Sequence, residues 1–264
     1  MLNLLEEFGF TTAWHLTDFA NLDSILNLGI LSRNDVVNHG IDFVRVGYDP
    51  IVETRAQWKK YVLTFVNPYN NFVLGRVQWH EKQRDNIEGL CLVEIDLAAA
   101  LLSTNDSALI SNGLLSKIHH ANPTTHPLSQ FASVLNWHVM LDPTAEKSET
   151  NQFFLGSEIL LPNTVPTSAI RRIWFGSEIQ LTNFGFKNSA IEGRDGSSLL
   201  RHGKRLPAPA VHNFSLSKTY TAVPILHKEF GRGVIVGQLG DRAVIDFEEK
   251  FGRQLVRFGS YEWI

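Results

Sequence analysis

Thr11-Thr12-Ala13-Trp14-His15-Leu16-Thr17-Asp18, residues 11–18, reads as a strand that hands over to a helix. Thr and Trp favour a pleated, half-buried chain, and Asp18 supplies the oxygen that an N-cap needs. Leu22, Ile25, Leu26 and Leu28 then repeat at helical spacing, and Gly29 ends the turn. Within the strand, the period of two puts His15 and Thr17 on one face. Two neighbouring hydrogen-bonding side chains there suit the ribose or amide of a ligand, or are simply satisfied polar residues at a sheet end.

Further strands are expected at Tyr61–Val66, Leu90–Ile95, Phe153–Leu161 and Ala169–Phe175, with helices at 97–102 and 131–141. Residues 32–57 read as a long loop with short pieces of structure, 67–71 as a turn, and 142–152 as a polar loop. Phe72 to Val77 is compatible with helix or strand. Glu158 lies inside the apolar run 153–161, where a carboxylate is costly unless it faces a cleft, a partner or solvent. The alternation puts Phe154, Gly156, Glu158 and Leu160 on one face, with Gly156 leaving space beside the acid.

The chain has 264 residues, enough for one main domain and a small module. Its hydrophobic fraction of 44% supports a sizeable core. The single cysteine, Cys91, excludes a disulfide framework and any multi-cysteine metal site, and its apolar neighbours make it a buried thiol. His119 and His120 are adjacent and lack ligand-spaced partners, so no metal site is expected. No apolar stretch approaches a membrane span and the first ten residues carry no base, so a cytoplasmic setting is expected. Residues 1–186 carry 12 basic against 19 acidic residues, whereas 187–264 carry 12 against 8. A nucleic-acid contact through charge is therefore more natural in the second part, where Arg201-His202-Gly203-Lys204-Arg205 stands out, although a solvated surface gives the same count. Neither standard phosphate-binding glycine loop is present.

Three motifs in order carry a resemblance. His15-Leu16-Thr17 is followed by Asn21-Leu22, Ile25-Leu26 and Gly29-Ile30-Leu31. Tyr61-Val62 comes next, with Pro68 and Asn70 in the same ungapped frame. The third is Ser157-Glu158-Ile159-Leu160-Leu161 with Val165-Pro166 downstream. Together, over about residues 12–176, they resemble the DarT toxins, DNA-targeting ADP-ribosyltransferases. Asn71-Phe72 stands where that family has Pro-Met, and the loop before Glu158 differs in length and basic content, which marks a divergent branch. His227 to Ile235, Ala243 to Phe247 and Gly252 to Leu255 resemble the Tudor-like barrel that ends some helicases of the UvrD/PcrA type.

The resemblance implies an α+β fold: a PARP-like ADP-ribosyltransferase split sheet with flanking helices (residues 1–182), a connector (183–225) and a small SH3/Tudor-like β-barrel (226–264). It implies NAD as substrate and transfer of ADP-ribose to a nucleic-acid base, in single-stranded DNA or in RNA, by a toxin or phage-defence effector. Glu158 and Arg55 would be catalytic, Arg55 neutralising the pyrophosphate with Arg45 as second choice. His15 and Thr17 would hold the nicotinamide half of NAD, Asn21 would assist, and Phe65 and Phe72 would pack around it, with Tyr61 in the same set. A cognate antitoxin, an ADP-ribosyl hydrolase of the macrodomain or NADAR type, is the implied partner. A protein ADP-ribosyltransferase, an RNA 2′-phosphotransferase of the same fold, and a non-catalytic binding module are the alternatives.

Overall fold

The computed structural model describes residues 11–46, 55–66, 89–103, 107–115, 123–136, 139–140, 149–187, 191–200, 223–239, 242–247, 253–257 and 259–263. Strand β1 (Thr12–Asp18) runs into a 3-10 turn, Phe19–Asn21, and a helix, Leu22–Leu28. The Asp18 side chain accepts from the backbone N–H of Ala20, so it caps the 3-10 turn and not the helix, whose N-cap position is Asn21. Gly29 ends the helix at φ 83°, and a Cβ built there would lie 2.3 Å from the Val165 carbonyl oxygen. Only glycine satisfies both conditions. That close approach lets β2 (Ile30–Leu31) pair with β8 (Thr164–Val165). The expected loop at 32–57 contains a helix, Arg33–Asn38, and a 3-10 turn, Ala56–Trp58.

Strands β3 (Tyr61–Phe65), β4 (Leu90–Asp96), β5 (Leu109–Ser111), β6 (Thr125–Pro127), β7 (Glu158–Pro162), β9 (Ile170–Phe175) and β10 (Glu192–Asp195) join β1 in one sheet of order β10-β9-β4-β1-β3-β7-β5-β6. β1 pairs with β4 from Thr12↔Asp96 to Asp18↔Leu90. On its other side it registers with β3 only where Trp14 faces Phe65. The sheet is therefore two halves joined at that pair. One face carries the main core, including Ala13, Cys91, Val93, Ile95, Val62, Ile159, Leu161, Ile173 and Phe175, with Leu22 and Ile25 packed on it. The other face holds a smaller cluster of Trp14, Leu92 and Leu200 with Leu16, Phe65 and Trp174. Cys91 is fully buried, and burial followed by the Asp18 charge pushes its thiol far up, so it is inert.

Several expectations need correction. The helix expected over 131–141 ends at Val134, because Leu135 takes an extended backbone. The strand expected over 153–161 starts only at Glu158, because Glu149–Leu155 is helical and Gly156 and Ser157 turn back onto Phe153 and Phe154. A short apolar run cannot be told from a buried helix by periodicity, and here the Phe153 ring occupies the space that a side chain at position 113 would fill. Phe154 and Gly156 therefore share no strand face with Glu158, and the helix also takes up the end of the expected 142–152 loop. Residues 183–200 are not plain connector: they include the second half of the helix Glu178–Lys187, strand β10 on the edge of the main sheet, and the helix Ser197–Leu200, whose Leu200 packs on Leu92 and Trp14. β5 and β6 have no counterpart among the expected strands. The turn at 67–71, Phe72 and residues 201–222 lie outside the described residues.

The C-terminal strands are β11 (Val223–His227), β12 (Gly231–Leu239), β13 (Arg242–Phe247), β14 (Arg253–Arg257) and β15 (Tyr261–Trp263). They form an antiparallel sheet of order β14-β13-β12-β11-β15 around Ile225, Ile235, Ala243, Ile245, Phe247, Val256 and Tyr261. Among the described residues no pairing joins β14 to β15, so the expected closure into a barrel is not seen.

Candidate active site

Glu158 is the first residue of β7 and is 1% exposed. Its partner is Arg55, which stands just before the turn Ala56–Trp58 and donates from Nη2 to Glu158 Oε1. The guanidinium is 19% exposed, so the pair opens to solvent on the arginine side. Glu158 Oε2 and Arg55 Nε are buried without a hydrogen-bond partner. Buried polar atoms are seldom left so. Burial pushes the Glu158 carboxyl above its ordinary range, while the Arg55 charge and the backbone N–H of Leu115 pull it back. The backbone N–H of Glu158 donates to Ser111 Oγ at 2.8 Å. Ser111 was not legible as a site residue, since a serine at a strand end carries no distinctive signal.

His15 is held across the junction of the two half-sheets. Its Nδ1 lies 3.0 Å from the Leu63 carbonyl oxygen. A carbonyl only accepts, so Nδ1 carries the proton and the neutral ring leaves Nε2 as an acceptor. Burial lowers its pKa, against the opposing effect of that bond, which keeps the ring neutral near pH 7. Thr17 is buried, and its Oγ1 accepts from Asn21 Nδ2 at 3.1 Å, which leaves the hydroxyl proton to donate. Asn21 is committed elsewhere: Nδ2 also donates to the Val44 carbonyl, and Oδ1 accepts from the Val44 N–H, each at 2.8 Å. With both donors spent, it acts as a strut that ties residues 41–46 to the end of β1. Arg45 is exposed on that tied segment.

Phe65 faces Glu158 in the β3–β7 register, and Tyr61 faces Pro162 at the other end with Lys60 Nζ 5.3 Å from its ring centre. The register also runs the other way from Phe65, so that Glu158, Phe65, Trp14, Glu94, Arg172 and Glu192 form one row across six strands. By the pleat, this row is on the face opposite to His15 and Thr17. The two halves of the anticipated site are thus not brought into contact; β3 alone links them. Leu63 takes the His15 bond, and Phe65, two residues on, stands beside Glu158. Further along the row, the buried Glu94 carboxylate is held by Arg172 at 3.2 and 3.3 Å and by Trp174 Nε1 at 2.9 Å. Among the described residues no cluster of His, Cys, Asp or Glu could hold a metal ion, and no helix there is long and apolar enough to cross a membrane.

A family profile described as "ssDNA thymidine ADP-ribosyltransferase, DarT" matches residues 14–183. The chain belongs to the DarT family. The match begins at Trp14 and includes His15, Thr17, Arg55 and Glu158. Among curated proteins no sequence match was found. Solved structures of DarT proteins share the fold at low identity. Thermosipho africanus DarTG in complex with ADP-ribose is 18% identical with a TM-score of 0.62, over 74% of this chain and 52% of that one. The chain thus spans about half of that relative. Thermus sp. 2.9 DarT in complex with ADP-ribosylated single-stranded DNA is 14% identical with a TM-score of 0.60, over 73% of this chain and 97% of that one. The same Thermus protein with NAD+ gives 12% and 0.57, over 73% and 98%.

Proposed function

We propose that this DarT-family chain transfers ADP-ribose from NAD to a thymine of single-stranded DNA, with Glu158 and Arg55 as its catalytic pair. The observation that supports this most is the Glu158 carboxylate: buried at a strand start, paired through one oxygen, and with the other oxygen unpartnered. In the reaction, the bond between the ribose carbon and the nicotinamide nitrogen breaks. Its electron pair neutralises the positive ring, and nicotinamide leaves. The ribose carbon carries positive charge at that moment, and a carboxylate beside it stabilises that charge. A ring nitrogen of the base then forms the new bond and gives up its proton to Glu158. Arg55 keeps Glu158 ionised before the proton arrives, and its exposed side is available to the pyrophosphate of NAD.

The neutral His15 ring accepts through Nε2 while Thr17 donates, a pair that complements the hydroxyl and carboxamide groups of the nicotinamide half. Phe65, the neighbour of Glu158 in the β3–β7 ladder, would pack beside the ligand, and Arg45 would meet the phosphates. Asn21 serves by fixing Thr17. The C-terminal sheet, whose last strand returns to pair with its first, fits an SH3/Tudor-like docking module, with the transferase domain extending past residue 182 to take in β10 and Leu200. A toxin that modifies DNA needs an antitoxin, and an ADP-ribosyl hydrolase of the macrodomain or NADAR type fits that need; a role in phage defence follows the same logic. A cytoplasmic setting, where NAD and DNA are both at hand, suits this activity. The test is NAD-dependent addition of one ADP-ribose to thymidine-containing single strands, with Glu158→Gln beside the wild type.

A further inference from the structure

Ser111 is fully buried at the end of β5 and belongs to no part of the chemistry described above. The β5–β7 ladder covers Leu109↔Leu160 and Ile110↔Ile159. At the next position, the Ser111 side chain takes over. Its Oγ accepts from the Glu158 N–H at 2.8 Å and donates to the Gly113 carbonyl at 2.6 Å, with the Glu158 carbonyl 3.3 Å away as a further acceptor. One hydroxyl therefore ties the backbone of Glu158 to the turn that follows β5.

That turn is fixed at its far end too. The Leu114 N–H donates to the Phe153 carbonyl at 2.9 Å, and the Phe153 ring lies against Gly113, where a side chain could not fit. The next residue is Leu115, whose backbone N–H acts on the Glu158 carboxylate. The carboxylate is thus approached from two sides, by Arg55 and by this turn. Ser111 is the group that bonds to both the turn and the residue bearing the carboxylate.

We propose that Ser111 is a positioning residue for the transfer reaction, setting the direction of the Glu158 carboxylate by bridging its backbone N–H to the Gly113–Leu115 turn. This rests on the reading of Glu158 as the catalytic carboxylate. A hydroxyl satisfies this bridge because it donates and accepts at once. Alanine does neither, and a thiol does both weakly. Releasing the turn would misplace the carboxylate and the Leu115 N–H together, and a displacement near 1 Å can cost about 100-fold in rate.

The experiment measures kcat, KM for NAD and the acid limb of the pH profile on a single-stranded oligonucleotide. It compares wild type, Ser111→Ala, Ser111→Cys and Glu158→Gln. The cysteine variant keeps the volume, so it stands in if the alanine variant fails to fold. The proposal expects kcat to fall roughly 10- to 100-fold in a Ser111 variant. KM should stay within about twofold, since binding energy is untouched. The acid limb should move to higher pH, because the Leu115 N–H that draws the carboxyl downward moves away with the turn. Wild-type kcat with an unmoved limb overturns the proposal. So does a lower kcat with an unmoved limb and a lower Tm, which is the signature of a purely structural serine. Transfer at the wild-type rate by Glu158→Gln would refute the underlying reading whatever the Ser111 variants do.

Discussion

Arg55 and Glu158 are 103 positions apart in the chain, yet the guanidinium of one hydrogen-bonds the carboxylate of the other at the start of β7. The pair is asymmetric, with 19% exposure on the arginine and 1% on the acid. Breaking a buried pair from the cationic side strands the carboxylate, at a cost of about 3 kcal/mol. Arg55→Ala should therefore lower stability at neutral pH by roughly that amount, less in acid where Glu158 takes up a proton. Its acid limb of activity should move to higher pH. Urea titrations at two pH values check the first, and a pH–rate profile the second.

Glu158→Gln should behave in the opposite sense for stability. The Glu158 carboxyl is raised by burial in the folded chain. Such a group favours the fold fully below its unfolded pKa of about 4.3, and that contribution is lost as pH rises through the folded value. Glutamine has no charge to bury, and its oxygen can still accept from Arg55. The difference in Tm, variant minus wild type, should grow as pH rises from about 4 and level off above the folded pKa. Transfer should fall by at least about 100-fold. Thermal scans across pH, with activity on the same samples, give both numbers.

His15 titrates the other way. Its pKa is lowered by burial, with the Leu63 bond opposing. The neutral ring therefore stabilises the fold above its unfolded pKa of about 6.5, and this stability is lost as pH falls through the folded value. His15→Ala removes the acceptor Nε2 and the bond across the sheet junction. KM for NAD should rise about tenfold, the equivalent of one lost hydrogen bond of roughly 1.4 kcal/mol. The variant should also lose less stability between about pH 6.5 and 5 than wild type does.

Gly29→Ala tests how β2 and β8 are brought together. It would put a Cβ at φ 83° and within 2.3 Å of the Val165 carbonyl oxygen. The expected cost is about 2–4 kcal/mol, from the left-handed conformation and the forced shift of β8. Calorimetry reads it directly, and the soluble folded fraction should keep the wild-type KM for NAD.

Much of this was written into particular residues. The helix Leu22–Leu28 and Gly29 follow from capping and spacing, because those rules are local. The strands β3, β4 and β9 follow from their β-rich composition. The register row from Glu158 to Glu192 could not be seen, since it depends on which strands become neighbours. The Arg55–Glu158 contact is of the same kind, although family resemblance pointed to both residues separately. Phe153–Leu155 misled because an apolar triplet suits a buried helix as well as a strand. Strand β10 was hidden because Glu192-Gly193-Arg194-Asp195 is polar, and its Glu192 is held in the sheet by Arg172 and Arg194. Asn21 was legible as a polar residue near the site, but its commitment to Val44 depends on a loop folding back over the helix.

The most direct measurement is mass spectrometry of a thymidine-containing single-stranded oligonucleotide after incubation with the protein and NAD, beside the same reaction with Glu158→Gln. The wild-type reaction should add one ADP-ribose to a thymine with release of nicotinamide, and the variant should add none. An unmodified oligonucleotide with the wild-type protein, or an adduct formed at equal rate by Glu158→Gln, would contradict the proposed function.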